Sequence, residues 1–152
     1  MAFFAVVACL VIGVFLAATA GDIERRHYQI IAARPITPYN EWVAQFFPEP
    51  SEPSSFALLA LEKLARRLRV SSQQLRPSDR FDRELSPKHW LIMDSDVDLF
   101  SIELERLCRE HGVKFGPFSE DAVTLGVCVT ELAALAAAAK QQGKFIEGER
   151  VS

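Results

Sequence analysis

Residues 94–112 read DSDVDLFSIELERLCREHG, and the fold is decided there. Val97, Phe100, Leu104, Leu107 and Cys108 recur at intervals of three and four, with His111 on the same stripe. That is the period of a helix burying one face. Ser95 stands at the N-cap with Asp98 three residues on, a capping box in its Asp form. Asp94, Asp96 and Asp98 crowd the start and Arg106 and Arg109 the end, the polarity that suits the helix dipole. Gly112 ends the helix. Period, caps and charges agree on an amphipathic helix packed against other helices.

Working outward, Val113-Lys114-Phe115 alternates and should drop two side chains into the core before Gly116-Pro117 turns the chain. Ser119-Glu120-Asp121 suits a single helical turn. Thr124 is placed to cap a last helix, roughly Leu125 to Gln141, with Val129, Leu132 and Leu135 facing inward. The Ala-rich run 133–139 favours helix. On the N-terminal side, Ser54 or Ser55 caps a helix from Phe56 to Arg69, with Leu58, Leu61, Leu64, Ala65 and Leu68 as its apolar stripe. A long loop from Ser71 to about Met93 needs pinning, and Leu75, Phe81, Leu85 and Trp90 are the candidates. Pro48 to Ser55 reads as a Pro/Ser/Glu linker too polar to pack.

Ala2 to Ala20 carry neither charge nor proline. About 19 apolar residues suffice to cross a hydrocarbon core of about 30 Å as a helix. The expectation is a transmembrane anchor over 1–21. A cleaved signal peptide is the alternative, with Ala18-Thr19-Ala20 as the cleavage site, although no Lys or Arg precedes the apolar run. Arg25, Arg26 and Arg34 follow it, which places the C-terminal part in the cytoplasm of a single-pass protein of the cell (inner) membrane. Ala5, Cys9, Gly13, Ala17 and Gly21 form a small-residue ridge suited to self-association or to packing on a partner helix. Asp22 to Ala33 can continue the helix, with Ile23, His27, Ile30 and Ile31 on one side, until Pro35 stops it. Thr37-Pro38 then looks like a cap and an N1 proline. Tyr39, Trp42, Phe46 and Phe47 form an aromatic segment that rests either on the membrane surface or on the core. The expected organisation is therefore an anchor at 1–21, a juxtamembrane helix and linker at 22–55, a helical domain at 56–142 and a flexible tail at 143–152.

The 152 residues carry a net charge of -3 with both signs mixed, so no basic face for nucleic acid is present. Cys9, Cys108 and Cys128 show neither CxxC nor metal-ligand spacing with histidine, and no metal site is expected. No nucleophile–base pair or glycine-rich phosphate loop is visible, so the chain is not expected to be an enzyme. His89 and His111 read as structural.

The order of long helix, long loop, capped second helix, short turn and final helix resembles the acyl-carrier-protein family over residues 56–140. Leu75-x-Pro77-x-x-x-Phe81-x-x-x-Leu85 resembles the carrier loop before the prosthetic-group serine, and Asp94-Ser95 the carrier Asp-Ser pair. Leu107-x-x-x-His111-Gly112-Val113-x-Phe115 resembles the end of carrier helix two. Glu120-Asp121-Ala122 and Thr124-Leu125-Gly126-x-x-Val129-x-x-Leu132 resemble carrier helices three and four. Asp96 replaces the apolar residue that usually follows the carrier serine, and Ser95 to Gly112 is about two residues too long. The chain therefore looks more like the bacterial carrier-like proteins of unknown function that lack the modifiable serine. The resemblance implies a small carrier-like helical bundle, and with the apolar N-terminal segment the expected fold is all-α, a transmembrane helix plus that bundle. It also implies a protein-recognition module, so the expected function is a membrane-tethered, non-catalytic adaptor that docks a cytoplasmic protein partner through Asp94, Asp96, Asp98, Glu103 and Glu105. Two alternatives stay open: a carrier bearing phosphopantetheine on Ser95, otherwise a helix cap, and a small bitopic subunit of a membrane complex held by the ridge.

Overall fold

A computed structural model describes residues 2–48, 52–86, 96–116 and 124–146, with backbone alone at 2–9, 11, 17, 20 and 96–98. The described elements are helical: α1 (Ala2–Ala32), α2 (Tyr39–Phe46), α3 (Ser55–Leu68), a 3-10 turn (Ser72–Gln74), α4 (Asp96–Glu110) and α5 (Leu125–Gln141). α3 is the centre, packed against α4 and α5. Its buried stripe is Phe56, Ala57, Ala60, Leu61, Leu64, Ala65 and Leu68. Leu58, expected inside, is only partly buried, because Ala57 and Ala60 hold the face turned to the core. Small residues there let neighbouring helices approach closely. Phe100, Leu104, Leu107 and Cys108 of α4 and Leu125, Cys128, Val129, Leu132, Ala136 and Ala139 of α5 complete the core.

The caps follow the sequence in part. Ser54 Oγ accepts from the Ala57 N–H at 3.3 Å. α4 ends at Gly112, φ 66°, where Val113 N–H donates to Cys108 O at 2.8 Å and Gly112 N–H to Arg109 O at 3.2 Å, the paired bonds of a Schellman stop. Thr124 occupies the N-cap of α5, but its side chain makes no capping bond. The loop supplies the acceptors instead. Leu125 N–H donates to Asp79 O at 2.8 Å and Gly126 N–H to Pro77 O at 2.9 Å. Pro77 sits so close to Gly126 that a Cβ there would lie 3.0 Å from the proline Cβ.

A spanning helix at 1–21 is not what the structure contains. α1 does not end at Gly21. It runs to Ala32 and carries Asp22, Glu24, Arg25 and Arg26 without interruption. Among the described residues no helix is long and apolar enough to cross a membrane. The all-α class stands, and the transmembrane, single-pass part of the description is withdrawn.

The C-terminal part of α1 and all of α2 belong to the same core as the rest. Tyr28, Ile31, Trp42, Phe46 and Phe47 are buried, and Ile30 points outward. A polar clasp fastens this segment to the loop after α3. Arg34 Nη1 donates to both carboxylate oxygens of Asp79 at 2.8 Å. Asp79 is buried, and it also accepts from the Arg76 N–H at 2.8 Å. The Gln74 amide donates to Ala32 O at 2.6 Å and Arg34 O at 2.9 Å, satisfying carbonyls at the end of α1. Its Oε1 accepts from the Ser71 N–H at 3.0 Å. Trp42 Nε1 donates to Leu75 O at 3.2 Å. Leu75 and Leu85 pin the loop as expected, with Phe81 partly buried. Trp90 lies outside the described residues. At the other end, residues 143–146 fold back onto the bundle. Ile146 N–H donates to His111 O at 3.1 Å, and Phe145 packs on Phe56 and His111.

Candidate functional site

Of the acidic residues expected to dock a partner, Asp94 lies outside the described residues, as does Ser95. Asp96 and Asp98 fall in the first turn of α4, with side chains outside the description. Glu103 and Glu105 diverge. Glu103 faces α3, where Lys63 Nζ approaches it at 3.5 Å and Arg67 Nη2 at 3.4 Å, with all three side chains less than a third exposed. Glu103 is thus an interhelical tie, and partial burial makes that tie stronger than an open surface pair. Glu105 is exposed. The two differ by two positions, about 200° around a helix, so one must face inward when the other faces out.

The outer face of α4 carries two aliphatic side chains that the acidic pattern obscured. Leu99 is 40% exposed and Ile102 65%. With Glu105, Arg106 and Arg109 they make a mixed ridge, apolar first and charged toward the C-terminal end of α4. The signal was in the sequence: Leu99 and Ile102 lie off the buried stripe of Phe100, Leu104, Leu107 and Cys108.

Of the ridge residues in α1, only Gly13 and Gly21 are fully described. Ala5, Cys9 and Ala17 have no described side chains. Around Gly13 and Gly21, a Cβ would meet nothing within 4 Å.

The groups with latent chemistry are restrained. Burial pushes the Cys108 thiol up to about 11. Burial, helped by Glu131 and Cys108, pushes Cys128 up to about 12. Neither is a thiolate near neutral pH. His27 Nε2 is bonded to Glu84 O at 2.8 Å, and His111 Nδ1 to Leu107 O at 3.0 Å, so both rings are engaged by backbone carbonyls. The Arg80 N–H, 2.9 Å from the Glu84 carboxylate, holds that carboxyl below its usual range. Among the described residues no group of three or more His, Cys, Asp or Glu side chains is arranged to hold a metal. His89 lies outside them. No protein family, curated protein or solved structure matches this chain.

Proposed function

We propose that the chain is a non-catalytic, carrier-like adaptor whose helical bundle docks a protein partner through the outer face of α4. The observation that carries this reading is the exposed pair Leu99 and Ile102, flanked by Glu105, Arg106 and Arg109, on a helix whose inner face is fully committed to the core. An apolar patch beside charges is an arrangement in which burial supplies affinity while complementary charge supplies specificity and on-rate. Asp96 and Asp98 extend the acidic end of the same helix. Glu103 is outside the surface, since Lys63 and Arg67 engage it.

The test starts from a partner identified by in-cell crosslinking from position 102 and then purified. Ile102→Glu should weaken its binding at least tenfold and Glu105→Arg severalfold, with both variants keeping the parental thermal midpoint. Unchanged binding in both would remove α4 as the docking face. Intact mass of the protein from its native host separates this reading from a carrier. A phosphopantetheine increment that is lost in Ser95→Ala would replace the adaptor reading.

A further inference from the structure

A cleft of about 210 Å³ lies between α1 and the end of α3, lined by Gly21, Glu24, Arg25, Tyr28, Leu68 and Arg69, among others. Two arginines, from positions far apart in the chain, line this space with one glutamate. Arg25 has a weak hold elsewhere: Asp22 is 3.5 Å away, with both side chains about two-thirds exposed (65% and 64%). Arg69 is placed by an unusual backbone. It terminates α3 in the left-handed region, φ 58°, and it is the one described residue other than glycine with positive φ. Glycine takes that conformation without steric penalty and is the usual residue at such a stop. Here the position carries an arginine that lines the cleft. Gly21 leaves its side of the cleft open.

Farther along the same face of α1 the described side chains are apolar. At 100° per residue, Leu10 and Val14 fall on the same face of α1 as Gly21, Arg25 and Tyr28. They are 64% and 71% exposed. From Gly21 to Leu10 this track runs about 16 Å along the helix. A basic cleft that opens onto an uncovered aliphatic track matches a molecule with an anionic head and an alkyl chain. The forked donors of two arginines suit a phosphate group.

We propose that this cleft binds the phosphate head of an anionic amphiphile between Arg25 and Arg69, with its alkyl chain laid along Val14 and Leu10. The inference does not depend on docking at α4.

Isothermal titration of the full-length chain with dihexanoylphosphatidic acid, and separately with inorganic phosphate, tests it. Saturable binding of the lipid at least tenfold tighter than phosphate is expected. Arg25→Gln and Arg69→Gly should each weaken lipid binding about tenfold. Val14→Ser should weaken the lipid and leave phosphate unchanged. Arg69→Gly relieves the left-handed strain, so its loss of binding cannot be ascribed to unfolding. No saturable binding of the lipid, or lipid binding that survives both arginine changes, overturns the proposal. Equal affinity for lipid and phosphate overturns the amphiphile and assigns the cleft to free phosphate.

Discussion

Gly112 and Gly143 share a left-handed backbone, φ 66° and 63°, and differ in what lies beyond Cα. A Cβ on Gly112 would collide with the Lys144 carbonyl oxygen, whereas one on Gly143 would meet nothing within 4 Å. Gly143→Ala should therefore cost about 1 kcal/mol, the conformational penalty alone. Gly112→Ala should cost about 3 kcal/mol, because the returning segment 144–146 must also be displaced. Urea denaturation of the two variants side by side checks the difference. Arg69 is the converse case, and Arg69→Gly should raise stability by about 0.5–1 kcal/mol by the same measurement. The stop at Gly112 was legible because a glycine after a capped, periodic run is a direct local signal. The stop at Arg69 was not, since nothing local marks an arginine as left-handed.

At the scale of elements, the clasp between the end of α1, α2 and the loop after α3 was invisible in the sequence. Arg34, Gln74 and Asp79 are separated by 40 and 45 positions from arginine to its partners, and no period or motif links them. Asp79 carries more than its ion pair. Its carboxylate accepts from the Arg76 N–H, and its carbonyl accepts from Leu125 N–H at the start of α5. Asp79→Ala should cost about 3 kcal/mol, because it strands a largely buried guanidinium and an unpaired N–H. The carbonyl bond to α5 survives that change, so α5 should stay helical while α2 loosens. Trp42 reports this directly, being 1% exposed and bonded to Leu75 O. Its emission, read in a Trp90→Phe background, should shift to the red in Asp79→Ala well below the global unfolding midpoint. Parental emission in that variant would show that aromatic burial alone holds α2.

For the whole molecule, one core joins all the described helices, and its two buried thiols serve as probes of it. Cys108 and Cys128 are 0% and 2% exposed, and burial raises both thiols, to about 11 and about 12. At pH 8 both stay protonated in the folded chain, whereas an unfolded thiol is partly ionised there. Alkylation at these two positions should follow global unfolding, with matching rates at the two cysteines across a urea series when resolved by peptide mass. Rapid labelling of either one in the absence of denaturant would reveal local opening between α4 and α5. The exposed side chains of α1 from Leu10 to Leu16 stand apart from this core and contribute nothing to it.

The sequence by itself determined the helices. Periodicity, the Ser54 cap and Gly112 are encoded within a few residues of where they act, and α3, α4 and α5 fall where those signals put them. It also marked Leu75 and Leu85 as the loop's anchors. Tertiary structure alone decided which partners each element meets. It placed α2 in the core, gave Glu103 to Lys63 and Arg67, and capped α5 with the carbonyls of Pro77 and Asp79 in place of the Thr124 side chain. The continuation of α1 into its charged half, by contrast, was already allowed by the stretch from Asp22 to Ala33. Local signals act within a turn or two of helix. Burial and long-range hydrogen bonds depend on which surfaces meet, and no window along the chain contains that information.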